Sequence, residues 1–217
     1  MFSNLSEEKK EEKFNGLINF ASKINNKSLK NACLNILNDY KEELFCKAAG
    51  HDGIEMKKYT KTHQCFDGGL LDHIYNVTKI AYDVGRNYEK QVDLDLILFG
   101  AILHDIGKTK IFDNWNEKSE IKSNLNYSYL LVDHVYIGEK IVEDYLDKEN
   151  ISEKFKYQAL HMIATHMDTM NKHMAEAYIV SYADSIDADV ENIISYPRNA
   201  INPIYNQYYY KSENPNK

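Results

Sequence analysis

An all-α fold is predicted by three observations. Only nine glycines and three prolines punctuate 217 residues, too few breakers for a many-turned β fold. Apolar residues recur at helical spacing, as in Leu29, Cys33, Leu37, Tyr40 and Leu44. Hydrophobic residues make up 43% of the chain and charged residues 27%, which allows a sizeable core with polar outer faces.

The elements follow in order. Apolar spacing predicts helices over residues 5–23 and 27–48. The stretch Gly50 to Gly69 is polar with glycine at both ends, and reads as a connecting loop. A third helix is expected from Leu70 to Tyr88. Asp93 then caps a very apolar helix, Leu94 to Ile106, which should lie at the centre of the fold. Residues 109–126 are polar around isolated Ile111, Phe112 and Ile121, and read as a loop or short hairpin. Helices are predicted again over 127–147, 152–168 and 172–190. After Pro197 the chain is rich in Asn and Tyr (Tyr205, Tyr208, Tyr209, Tyr210), so irregular structure packing back through its aromatics is expected. The expected organisation is an N-terminal helical extension (1–48), a main helical domain (49–196) and a C-terminal tail (197–217). There is no internal repeat and no low-complexity tract.

Composition narrows the function. The formal charge is −7 and the pI about 5.6, unlike the basic surface of a strong duplex nucleic-acid binder. Cys33, Cys46 and Cys65 are scattered and form no CxxC, which speaks against a disulfide framework or zinc knuckle and for a reducing compartment. Met1 to Lys13 is charged, with no apolar signal-peptide core. No apolar run approaches the roughly 18 residues that span a bilayer. A cytoplasmic protein without a membrane partner is expected.

The chemistry centres on Leu103-His104-Asp105-Ile106-Gly107-Lys108. An adjacent His and Asp close a helix expected to be buried. Unpaired, such groups cost several kcal/mol to bury, and a shared cation removes that cost. A lone His-Asp pair would more often be a helix cap. This pair is not alone. His73 stands on the preceding helix in Gly68-Gly69-Leu70-Leu71-Asp72-His73. His134 opens a later helix, His161 and His166 share the next, and Asp184 lies on the last, in Tyr182-Ala183-Asp184-Ser185-Ile186-Asp187. Imidazole with carboxylate and no thiolate suits Mn, Fe, Zn or Mg. On an ideal helix His161 and His166, five residues apart, diverge by about 140°, and His166 is the better placed ligand candidate. Asp187, one turn beyond Asp184, reads as a supporting or solvated acid. His63 precedes the Gly68–Gly69 turn and reads first as a polar-loop histidine, with a place at the site's rim as the other reading. His51 and His173 read as ordinary polar-loop residues, and Gly68 and Gly69 as a tight entry into the His73 helix.

The order H…HD…H…H…D on successive helices resembles the HD-domain phosphohydrolase superfamily. Gly68–His73 with Val77, Gly100–Lys108, His161–His166 and Tyr182–Ala188 look most like the HD domain of YhaM-type 3′–5′ exoribonucleases. The likeness spans roughly residues 45–190. It implies an HD-domain helical bundle with the metal site between successive core helices. It also implies one or two divalent ions per chain, with Mn, Fe, Mg, Zn and Ni not distinguished. His73, His104, Asp105 and Asp184 would hold one ion. Asp105 would bridge to a second, held by His134 and His166, with His161 as a further candidate. Asp105 and Lys108 would be the catalytic residues, Lys108 touching a phosphate oxygen beside a metal-activated hydroxide; read from its position alone, Lys108 is also compatible with a solvated helix-end lysine favoured by the helix dipole. Lys108 would contact substrate, and His63, from its place before the Gly68–Gly69 turn, is a further candidate for that contact.

YhaM-type enzymes carry an N-terminal oligonucleotide-binding β-domain, whereas the N-terminus here is short and helical in pattern. The link after His166 is shorter than usual for them, and Asp133 stands where glycine is usual. The expected activity is therefore a phosphodiesterase acting on short oligonucleotides or a nucleotide-type phosphodiester. The alternatives are a nucleotidase releasing phosphate from mononucleotides, or a catalytically silent metal-bound regulatory protein. An oligomer is compatible with the sequence.

Overall fold

The computed structural model describes residues 4–50, 52–55, 58–61, 63–118, 131–168 and 170–195, with the two four-residue strands described at the backbone. The described chain is mostly helical: α1 (Glu7–Ser22), α2 (Lys27–Asp39), α3 (Lys41–Cys46), β1 (Asp52–Glu55), β2 (Lys58–Lys61), α4 (Gly69–Asn87), α5 (Leu94–Leu103), α6 (Lys108–Ile111), α7 (His134–Leu146), α8 (Glu153–Ala164) and α9 (Ala175–Ser195). The Tyr/Asn-rich tail after Pro197 lies outside the described residues.

Helix starts follow local chemistry. Ser6, Asn26, Asp93, Asp133 and Ser152 each accept a hydrogen bond from a first-turn backbone N–H, satisfying donors that the helix itself cannot. Asp95, in the first turn of α5, reaches outward: its carboxylate takes the backbone N–H groups of Asn25 and Asn26 at 2.9 and 2.8 Å. That contact docks the α1–α2 junction against the start of α5.

Every residue of α5 from Leu96 to Leu103 is buried, so this helix is apolar around its whole circumference and packs against α1, α2, α4, α8 and α9. Burying each of its large side chains contributes roughly 1.5–3 kcal/mol. One apolar cluster joins Phe14, Leu17, Leu29 and Ile36 of α1 and α2 to Phe99, Ile102, Val142 and Ile163. The core is therefore continuous across the boundary expected near residue 48. A second, smaller cluster of Val77, Ala81, Ile97, Ala101, Val180 and Ala183 ties α4, α5 and α9 together.

Several sequence expectations are corrected. Gly50–Gly69 is not simply a loop, because it carries the antiparallel pair β1–β2, with Asp52 opposite Lys61 and Glu55 opposite Lys58. Four-residue strands give too short an alternation to be legible. The helix expected over 27–48 breaks at Tyr40 (φ −109°, ψ 12°), just after Asn38 and Asp39, whose side chains compete with the helical backbone. The apolar helix ends at Leu103, and the next residues turn into the single helical turn α6. Residues 112–118 are irregular and pinned by buried Lys47, whose ammonium donates to the Phe112 carbonyl and to Asn114 Oδ1, both at 2.7 Å. His161 and His166 do not share a helix, since α8 stops at Ala164. Thr165 turns its hydroxyl back onto the His161 carbonyl at 2.7 Å there, and His166 stands beyond the helix end. Among the described residues no helix is long and apolar enough to cross a membrane.

Candidate metal centre

Two close approaches position the site. At the entry to α4, Gly68 has φ +79°, a left-handed conformation that suits glycine, and a Cβ on Gly69 would collide with the Gln64 carbonyl. This tight turn places His73, one turn into α4, in the interior. At the end of α5, a Cβ on Gly107 would collide with the His134 carbonyl. Glycine there lets the first turn of α7 lie directly on the His104–Lys108 segment.

These contacts gather the residues of the motif around one carboxylate. Asp105 Oδ2 lies 3.3 Å from His73 Nε2 and 3.5 Å from His104 Nε2. Its other oxygen, Oδ1, lies 3.4 Å from His134 Nε2 and 3.6 Å from His166 Nε2. Asp184 Oδ1 adds a carboxylate 3.1 Å from His73 Nε2 and 3.8 Å from His104 Nε2. Ligand atoms about 2.0–2.2 Å from one ion sit about 3 Å apart, so each oxygen of Asp105 faces a pair of imidazoles at nearly that spacing. Two groups result, His73–His104–Asp105 and Asp105–His134–His166, each offering ligand atoms within 4.8 Å of one another.

The imidazole tautomers explain why these groups suit a cation. His104 Nδ1 lies 2.9 Å from the Ala101 carbonyl and His166 Nδ1 2.7 Å from the Ile163 carbonyl. A carbonyl only accepts, so both nitrogens carry the proton. His73 Nδ1 faces Asp187 Oδ2 and His134 Nδ1 faces Asp133 Oδ1, each at 2.7 Å. In the neutral rings all four Nε2 atoms therefore present lone pairs toward Asp105. The Nε2 atoms of His134 and His166 are buried with no hydrogen-bond partner, and those of His73 and His104 stand 3.3 Å apart. Converging buried lone pairs and carboxylates repel unless protons or a cation lie among them. The donor set, imidazole and carboxylate, fits a divalent ion.

Electrostatics differ across the site. Burial disfavours the His73 cation, yet hydrogen bonds to Asp105, Asp184 and Asp187 outweigh it and push its pKa well above the usual imidazole range. Burial likewise opposes the Asp105 carboxylate, but Lys108, His104 and His166 hold it well below the usual carboxylate range. Asp184 is held low in the same way, burial being overcome by His73 and His104. His134 goes in the opposite direction. Burial pushes it down to about 4, with Lys108 and His166 adding to the effect and Asp105 opposing it.

Lys108 opens α6 with its ammonium 2.6 Å from Asp105 Oδ2 and only 13% of its side chain exposed, so it is not a solvated helix-end lysine. His63 stands nearer the centre than a polar loop residue would. Its ring centroid is 4.9 Å from that of His73, its Nε2 is buried without a partner, and burial, with Lys108 and His73 nearby, pushes its pKa down to about 3. His161 belongs to neither ligand group. Its ring stacks on His173 at 6.0 Å, and its Nε2 accepts the His173 backbone N–H at 3.2 Å. His51 lies outside the described residues. Sequence reasoning missed Gln64, whose amide donates to Asp187 at 2.6 Å, and the role of Asp133 as an acceptor for His134 beyond its capping of α7. An Asp immediately before a ligand His was a usable signal for the second; nothing in the sequence around Gln64 was one for the first.

Residues 70–189 match the HD domain family. A dihydroneopterin 2′,3′-cyclic phosphate phosphodiesterase of Methanocaldococcus jannaschii is 27% identical over 93% of this chain and 80% of its own length. The 3′–5′ exoribonuclease YhaM of Bacillus licheniformis is 26% identical over 66% of the chain and 46% of its own length. YhaM of Bacillus subtilis is 27% identical over 59% and 41%. The chain thus spans less than half of either exoribonuclease. No solved structure matches.

Proposed function

The chain belongs to the HD-domain family, and from that premise we propose that it is a metal-dependent phosphodiesterase acting on a small nucleotide-type phosphodiester, with a cyclic phosphate as the first substrate class to test. The observation that carries this reading is Asp105, whose two oxygens each face a separate pair of imidazole Nε2 atoms. One carboxylate placed in this way could join two ions. His73, His104, Asp105 and Asp184 would hold one, and Asp105, His134 and His166 the other. When bound, such ions supply an activated water and offset charge on the phosphoryl oxygens.

The remaining roles belong to the side chains. Lys108 stands beside the bridging carboxylate, where its ammonium can turn to a phosphoryl oxygen and stabilise charge developing on it. His63, neutral by burial, offers an N–H from the α4 side toward the same group. His161, bonded to His173, lies outside this arrangement. The small-substrate reading is favoured over long RNA by the cyclic phosphodiesterase of M. jannaschii, which aligns with nearly the whole chain. The exoribonucleases align over less than half their length.

The test is a substrate panel assayed with Mn²⁺: a 2′,3′-cyclic nucleotide, a short single-stranded oligoribonucleotide and a nucleoside monophosphate. The expected result is opening of the cyclic diester to a monoester, faster than oligonucleotide cleavage and without release of inorganic phosphate. Phosphate release from the monophosphate with both diesters untouched would make the protein a nucleotidase. No turnover of any substrate would leave a metal-binding regulatory protein.

A further inference from the structure

His73 is the one ligand candidate whose Nδ1 proton is taken by a carboxylate from a different helix. The acceptor, Asp187 Oδ2, lies 2.7 Å away on α9. The same oxygen receives the Gln64 side-chain N–H at 2.6 Å. Two donors from separate parts of the chain therefore converge on one oxygen atom.

Gln64 is itself fixed from the backbone side. It is fully buried, and among the described residues it is the one non-glycine with positive φ, +40°. A side chain in that region carries strain that its surroundings must hold in place. They do so here. The Gln64 carbonyl accepts the N–H groups of Ala49 at 3.3 Å and Phe66 at 3.0 Å, and it packs against Gly69, where a Cβ would not fit. The turn before α4 is thus locked to the end of the α3 segment, while its side chain reaches α9.

We propose that Asp187, held by Gln64, is a positioning residue for metal binding, setting the tautomer and ring angle of His73 so that Nε2 is the ligand atom. The inference rests on the metal-centre reading given above. Without the carboxylate, His73 is free to carry its proton on either nitrogen and to rotate about its side-chain bonds. With it, one nitrogen is committed and the other gains basicity, the usual effect of a carboxylate behind a ligating imidazole. Asp187 touches neither substrate nor metal in this scheme, so its influence runs through His73 alone.

The experiment is a Co²⁺ titration of metal-free protein, read by visible absorption, on wild type, Asp187→Leu, Asp187→Asn and Gln64→Met. Folding of each metal-free variant is checked by circular dichroism and thermal unfolding. Asp187→Leu is expected to weaken Co²⁺ binding at the His73–His104 site, expected to be the tighter one because Asp184 adds a second carboxylate there, about 10- to 100-fold, the range for loss of such a partner, and to alter its absorption bands. Asp187→Asn keeps an acceptor oxygen of the same shape, so it should recover part of that affinity and the wild-type band positions. Gln64→Met should weaken the tighter site less than Asp187→Leu does, because the carboxylate remains but is held by one donor fewer. Binding at the weaker site should stay at the wild-type level in all three. Folded variants with wild-type affinity and spectrum would overturn the positioning role, leaving Asp187 a packing residue, while the metal reading stands. Failure of the wild-type protein to bind Co²⁺ would overturn both.

Discussion

The two halves of the candidate centre share Asp105 but are built differently. The His73–His104 half has both imidazole side chains at 0% exposure, with Asp184 at 19% forming its more open side. Three carboxylates surround it, two facing the Nε2 atoms and one behind His73. The His134–His166 half has one carboxylate facing its Nε2 atoms and Asp133 behind His134, and His134 keeps 12% of its side chain exposed at the start of a helix. The first half drives its histidine toward the charged form and the second drives His134 toward the neutral form. The difference is one of field strength. A more strongly negative pocket suits an ion that stays bound. A less negative pocket suits one that exchanges, or that waits for a phosphate to complete its coordination.

The contrast is broken most completely by Asp105→Ala. This removes the ligand common to both halves, so bound metal should fall to background by elemental analysis and hydrolysis should cease. Near wild-type metal content would mean that the halves do not meet at Asp105. Lys108→Ala comes next. Lys108 ligates nothing in the scheme, so metal content should hold while turnover falls on the order of 10²–10³, the usual loss for a charge-stabilising donor. Unchanged turnover in steady-state assays would assign Lys108 to structure alone. The finest distinction comes from pairing His104→Ala with His134→Ala. The first should weaken the tighter ion, and the second should leave about one ion per chain held with nearly wild-type affinity. Equal losses in the two variants by isothermal titration would show that the halves do not differ as described.

Much of this arrangement was legible in the sequence. The His and Asp residues around Asp105 were readable because each stands beside apolar neighbours on, or just past the end of, an apolar helical segment, and Asp93 marked the start of the central helix as its side chain does in the structure. The hairpin was not readable, being too short for its alternation to register. Nor were the acceptors that fix His104 and His166, because these are the carbonyls of Ala101 and Ile163, and a backbone oxygen leaves no trace in residue identity. The break between His161 and His166 falls at Thr165, where the backbone leaves helical geometry (φ −114°, ψ 5°). Periodicity cannot report such a detail, since it carries the helix smoothly through Thr165. Asp187 was visible as an acid one turn past Asp184, but its partner Gln64 required the turn geometry to be known first.

The ligand candidates are spaced along the chain from His73 to Asp184, about one to a helix. No two of them except His104 and Asp105 are near in sequence, so each addition to the set closes a long loop and loses the chain entropy that goes with it. A ribosome releases these residues in order, and α9, which carries Asp184 and Asp187, emerges last of the described helices. The complete cradle therefore cannot exist on a partly made chain. A cation that needs the whole set would be admitted only at the end of assembly, as a latch that closes on a finished fold.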